Sequence, residues 1–207
     1  MYNPQHFREE RLPVLHQAIR SAGLASLVTM GRDGLEASHV PVWLDAERGP
    51  YGTISGHLAR ANPQWSRFDP AVPALLMIQG VDAYVSPSWY PSKAMTGKAV
   101  PTWNYVAVHA SGPLEVFDDP ERLRGLLGRL TERREAGRAE PWALADAPED
   151  YLQGMLRGVV GFSLRISRLE GKWKLSQNRS AEDRAGVVLG LEQEAPAVAA
   201  AMRGEEP

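Results

Sequence analysis

The chain has 207 residues, 43% hydrophobic and 23% charged, enough apolar side chains for a sizeable core in an ordinary globular protein. A net charge of −2 excludes a globally basic grip on nucleic acid, and the absence of cysteine excludes disulfides, thiolate chemistry and cysteine-based zinc sites. The polar opening MYNPQHFREER lacks a secretory core and no apolar run approaches the ~20 residues of a membrane span, so a cytoplasmic protein is expected.

In chain order, Leu12, Leu15, Ile19 and Ala22 share one helical face, and Gly23 follows as a stop. LASLVTM reads as a buried strand, GRDGL as a turn, and EASHVPVWL as the hairpin partner, with Pro41 hinting at an edge or bulge. YGTISG is a third strand. PALLMIQG and DAYVSP are the fourth and fifth, separated at Gly80. TWNYVAVHASGPLEV is a longer strand with a bend at Gly112-Pro113. Asp119 caps the next helix, Pro120 suits its first turn, and Leu123, Leu126, Leu127 and Leu130 form its apolar stripe. PEDYLQGMLRGVV is a further helix. Phe162, Leu164 and Ile166 then alternate with polar residues as a half-buried strand, and the Ala-rich end reads as a short helix or a frayed tail. This is a mainly β chain with α additions, which points to a small closed barrel.

Phosphate-loop and dinucleotide fingerprints are missing, as are a nucleophile elbow and close-spaced metal-ligating histidines. His39, His57 and His109 lie on strands or their ends, so their convergence in space stays open. Three stretches carry the positive signal. In SGHLARANPQW, Ser55, His57, Arg60 and Asn62 precede a short helix; the set suits a phosphate, and equally a helix cap with a solvated Arg. In the 86–112 stretch, Trp103, Tyr105 and His109 share a strand face beside Asn104. Trp89 and Tyr90 are expected to come down over that face, with Lys93 and Lys98 near its mouth. Such rings suit a planar heterocycle or a subunit interface. In GKWKLSQNRSAEDR, Lys172, Lys174, Gln177, Asn178 and Arg179 concentrate donors, although the pattern alone favours a hairpin end with exposed Lys.

Taken together, MYNPQHFRE, ASHVPVWLD, GHLARANPQW, AYVSPSWYPSK, VPTWNYVAVHASG, RAEPWALADAP and EGKWKLSQNR resemble the PaiB-like family of the FMN-binding split-barrel superfamily, described as negative transcriptional regulators. The resemblance implies a six-stranded, Greek-key-like split β-barrel with flanking helices over residues 1–190, then a helical or frayed tail over 191–207. It also implies a homodimer with FMN in a cleft between subunits. The phosphate then falls to Ser38, His39, Ser55, His57, Arg60 and Asn62, and the ring to Trp103, Asn104, Tyr105, Lys174, Gln177 and Asn178. One departure is the second strand, which carries His39 where related pyridoxamine phosphate oxidases have basic residues. Three functions follow: a redox- or metabolite-responsive regulator, an FMN-dependent oxidoreductase acting on a small molecule, and a haem protein using His57 or His109. Direct DNA binding is disfavoured, because the arginines of the 122–138 helix are interleaved with Glu and no helix-turn-helix is visible.

Overall fold

The protein is represented by a computed structural model described for residues 1–205; Glu206 and Pro207, the end of the expected tail, lie outside the described residues. Its strands are β1 (Arg8–Glu9), β2 (Ala25–Gly31), β3 (Gly34–Val40), β4 (Val42–Asp45), β5 (Thr53–Ala59), β6 (Ala74–Val85), β7 (Thr102–Gly112), β8 (Leu114–Phe117), β9 (Val159–Arg165) and β10 (Arg168–Lys174). Its helices are α1 (Leu12–Ser21), α2 (Gln64–Arg67), α3 (Pro91–Thr96), α4 (Pro120–Glu135), α5 (Glu149–Arg157), α6 (Ala181–Glu194) and α7 (Pro196–Arg203). The strands form two antiparallel sheets, one in the order β1-β10-β7-β6-β2-β3 and one in the order β4-β5-β9-β8. This is the mainly β architecture with helices that the pattern of short strands implied.

Prolines divide two runs that read as single strands. Pro41 has no N–H to give a ladder, and the chain leaves β3 there to enter β4 in the other sheet. Pro113 likewise separates β7 from β8. Gly112 beside it is a close approach: a Cβ there would run into the Arg165 carbonyl. The expected break at Gly80 is corrected, since β6 runs unbroken from Ala74 to Val85. A Cβ on Gly80 would come within 3.0 Å of Val106, so this glycine serves strand packing and not a turn.

By contact density the chain divides into two compact units. The first comprises Met1–Ala22, Ile78–His109 and Glu170–Pro207. Its core gathers Val85, Tyr90, Leu175, Val187, Leu191, Val198, Ala199 and Met202, with Trp89 packed against it. Trp89 and Tyr90 therefore serve the α6–α7 core instead of descending over Trp103 and Tyr105 as expected. Gly186 and Gly190, one helical turn apart on α6, explain why, because a Cβ at either position would strike the Trp89 carbonyl or its ring.

The second unit comprises Gly23–Met77 and Ala110–Leu169. Here β2 and β3 form the expected hairpin, in register from Ala25↔Val40 to Gly31↔Gly34. Leu123, Leu152 and Leu156 join α4 to α5 in a buried cluster. Asp119 caps α4 as its sequence implied, accepting from the Arg122 amide at 2.8 Å. The helix is less solvated than its Glu-interleaved arginines suggested. Arg133 donates to the Val42 carbonyl at 2.7 Å, Arg134 to that of Gly23 at 3.2 Å, and Arg124 pairs with Glu149.

Candidate functional site

In the second unit, alternation along β5 puts Ser55 and His57 on one face. Their partners across the ladder are Ser163 and Gly161 on β9. Ser55 and Ser163 share a hydroxyl hydrogen bond of 3.0 Å, and Arg122 donates to Ser163 Oγ at 2.9 Å and to Glu115 Oε1 at 2.5 Å. The same guanidinium lies 3.6 Å from the centre of the Phe117 ring. Its charge and hydrogen bond hold the Glu115 carboxyl below the usual carboxylate range. Nothing local in the sequence announced this Arg122 bridge, which depends on a cap at Asp119 and a strand pairing remote in sequence.

His57 stands apart in this network. Its Nδ1 is buried and, among the described residues, has no hydrogen-bond partner. Burial pushes the imidazole below its ordinary value, so it is neutral at physiological pH. Arg60 follows on the loop, where it donates to the carbonyls of Arg157 at 2.9 Å and Val159 at 3.3 Å, beside Asp118. The guanidinium thus satisfies carbonyls where α5 ends and β9 begins. Asn62 bridges in both directions, donating to Ser38 Oγ at 2.8 Å and accepting from the Gln64 amide at 3.0 Å. His39 is paired with Ser26 Oγ at 3.0 Å.

In the first unit, the end of β10 and the turn after it form a recess of about 40 Å³ lined by Thr102, Asn104, Lys174, Ser176, Asn178 and Arg179. Asn104 is fully buried on the inward face of β7, while its neighbours Trp103 and Tyr105 face outward. Trp103 Nε1 donates to Asp82 at 2.9 Å and its ring meets Tyr84 edge-on at 6.0 Å. Tyr105 presents its ring to the Lys172 ammonium at 5.2 Å. Lys174 donates to Thr102 Oγ1 at 2.7 Å and to the Trp103 carbonyl. Burial, then repulsion from Lys172 and Arg179, holds its ammonium below the usual lysine range.

Gln177 is exposed and clamps its own turn, accepting from the Leu175 amide at 2.7 Å and donating to the Trp173 carbonyl at 2.6 Å. Lys93 and Lys98 are exposed on and after α3. The structure therefore brings Asn104, Lys174 and Asn178 to one recess, and adds Thr102, Ser176 and Arg179 to them. In the sequence Ser176 simply continues the alternation of Lys172 and Lys174, and nothing local marks the left-handed backbone it adopts. Among the described residues, no group of three or more His, Asp or Glu side chains is arranged to hold a metal ion.

These residues suit a flavin nucleotide. The buried His57 Nδ1 has no partner among the described residues, and in its Nδ1–H tautomer it would donate to an acceptor such as a phosphate oxygen.

Comparison with known proteins supports this chemistry. Residues 1–168 match the family model described as "Putative FMN-binding domain". The chain is 32% identical, over 94% of its length and 90% of the other's, to the protease synthase and sporulation protein PAI 2 of Bacillus subtilis (strain 168). Among solved structures it resembles the flavocytochrome Anf3 of Azotobacter vinelandii, with a TM-score of 0.58 at 14% identity over 86% of this chain and 75% of that one. It also resembles the FAD and heme binding protein of Mycobacterium smegmatis, with a TM-score of 0.57 at 16% identity over 85% and 77%. At those identities the two structures speak to the split-barrel fold alone. On the strength of the family match and the chain-long identity to PAI 2, the protein belongs to the PaiB-like family of FMN-binding split-barrel proteins.

Proposed function

We propose that this protein is a cytoplasmic homodimer that holds FMN between its subunits and acts as a redox- or metabolite-responsive negative regulator of transcription. The observation that carries the flavin part is the buried, unpartnered Nδ1 of neutral His57. A neutral imidazole protonated at Nδ1 offers a hydrogen bond that a phosphate oxygen accepts, and the phosphate in turn favours the ring's charged form. In this reading Ser38, His39, Ser55, His57, Arg60 and Asn62 hold the phosphate, while Trp103, Tyr105 and Gln177 orient the ring. The flavin, once bound, supplies hydride and single-electron chemistry. The chain's own part is to fix its position, shield it and set the charge beside it.

The regulatory part draws on the name of the Bacillus relative, which is tied to protease synthesis and sporulation. It also draws on α4, whose Arg122, Arg124, Arg133 and Arg134 are engaged within their own unit. Arginines so engaged are poorly placed to read DNA. The regulatory signal therefore passes through flavin chemistry or a protein partner. The test is genetic. A strain lacking the protein is complemented with the wild type or with a His57→Ala/Arg60→Ala variant, and transcripts are compared. Derepression with the variant supports flavin-dependent regulation; full repression by a flavin-free variant contradicts it.

A further inference from the structure

Three cations gather where β10 ends. Lys174 and Arg179 line the recess described above, and Lys172 lies two residues back along the strand. The recess measures about 40 Å³. On a scale where one water takes ~10–15 Å³, that admits about three oxygen-sized groups. This is the footprint of a carboxylate or phosphate group and too little for a ring.

The charge in this corner is unbalanced. The acceptors of Lys174 are neutral, a hydroxyl and a backbone carbonyl. Lys172 is buried between the rings of Tyr2 and Tyr105 and donates to the Tyr2 carbonyl at 3.0 Å. Arg179 lies over the Tyr90 ring, 4.8 Å from its centre. The carboxylate that feels Arg179 is Asp183, and its two oxygens already accept from the Ser92 amide at 3.0 Å and the Ser92 hydroxyl at 2.7 Å. Among the described residues, no acidic side chain lines the recess itself. Like charges folded together without a counter-charge repel, and an anion among them relieves that repulsion.

The remaining walls are polar and held in place. Asn104 Oδ1 accepts from Ser176 Oγ at 3.1 Å, and Asn104 Nδ2 rests against Met202 Sδ at 3.3 Å. A thioether is a weak acceptor, so this buried amide is under-served. Ser176 has a φ of 63°, a left-handed conformation that non-glycine residues adopt mainly where the surroundings impose it. That turn brings Asn178 and Arg179 round to face the end of β10.

We propose that this recess binds the carboxylate or phosphate group of a small anionic metabolite, separate from the flavin's own phosphate, with Lys174 and Arg179 as charge partners and Thr102, Ser176 and Asn178 as hydrogen-bonding partners. The proposal rests on the flavin reading and names the class of molecule that the site senses or acts on. In that reading the flavin phosphate belongs to the Ser55–His57–Arg60 set, which leaves the positive charge at Lys174 for a second ligand.

Inorganic phosphate is the probe. Titrated into the FMN-loaded protein, and followed by tryptophan fluorescence and flavin absorbance, it should bind saturably without releasing flavin. Lys174→Met and Arg179→Gln should each weaken binding about tenfold or more, while Lys174→Arg retains most of it. Circular dichroism shows whether each variant is folded; should Lys174→Met unfold, Arg179→Gln carries the comparison. Failure to saturate, unchanged affinity in the folded variants, or displacement of flavin by phosphate overturns the proposal. If the chain takes up no flavin, the flavin reading fails by itself. The same titration on the flavin-free protein then still decides whether the recess binds an anion.

Discussion

Ser176 Oγ donates to Asn104 Oδ1 at 3.1 Å, joining the turn after β10 to the buried face of β7. Both residues are buried, with Asn104 at 0% exposure. Asn104→Ala and Ser176→Ala each leave the other's polar atom short of a partner, and each should cost about 1–3 kcal/mol. Urea denaturation of the two single variants and the double variant forms a cycle. A coupling of roughly 0.5 kcal/mol or more is expected, because the second deletion removes a group already orphaned by the first. Strict additivity would mean that this bond contributes nothing to the folded state.

The α6 glycines give a second prediction. Alanine at Gly186 or Gly190 meets the Trp89 backbone or ring, so each substitution should destabilise by roughly 1–3 kcal/mol despite alanine's better helix propensity. Gly125 on α4 is the control. A Cβ there meets only the far end of Arg129, at 3.5 Å, so Gly125→Ala should be neutral or stabilise by up to about 1 kcal/mol. Thermal melts of the three variants decide the point, and equal effects at all three positions would contradict the packing account.

This contrast also shows what local pattern reveals. The α1 stripe through Leu15 and Ile19, the Asp119 cap and the β2–β3 hairpin follow from spacing and turn chemistry within a few residues, and all were legible. The path of Trp89 was not, because the groove that receives it is cut by glycines almost a hundred positions downstream. Gly80 misled for a related reason. Glycine marks a turn and a tight strand contact alike, and only the presence of Val106 across the sheet distinguishes them. At the candidate site, the donor-rich composition of residues 171–184 was visible. The left-handed backbone at Ser176, which turns that composition into a recess, was not.

Acid should weaken the flavin-free protein through His57. Burial lowers its folded pKa below the unfolded value of about 6.5. Between those two values the unfolded chain binds more protons, so stability falls as pH drops through that window. The carboxylates held below their usual range at Glu115 and Asp183 act in a more acidic window, losing their contribution only as pH falls through their folded values. His57→Gln should therefore flatten the stability profile from pH 7.5 to 5.5 and leave the more acidic limb in place. Urea midpoints measured across that range provide the check, and an unchanged slope in the variant would remove His57 as its cause.

The phosphate assignment can be isolated by comparing FMN with riboflavin, which shares the ring and lacks the phosphate. His57→Ala should weaken FMN binding while leaving riboflavin affinity near that of the wild type. Arg60→Ala should act likewise, and should also lower stability, because its guanidinium satisfies the Arg157 and Val159 carbonyls. Equal losses for both ligands, read by quenching of flavin fluorescence, would place these residues away from the phosphate.

The most direct measurement is the absorption spectrum of the purified protein after incubation with FMN and removal of unbound ligand. The account predicts a bound flavin spectrum at one FMN per chain, shifted from that of free FMN. A folded protein that retains no flavin, or one that shows a Soret band in its place, would contradict it.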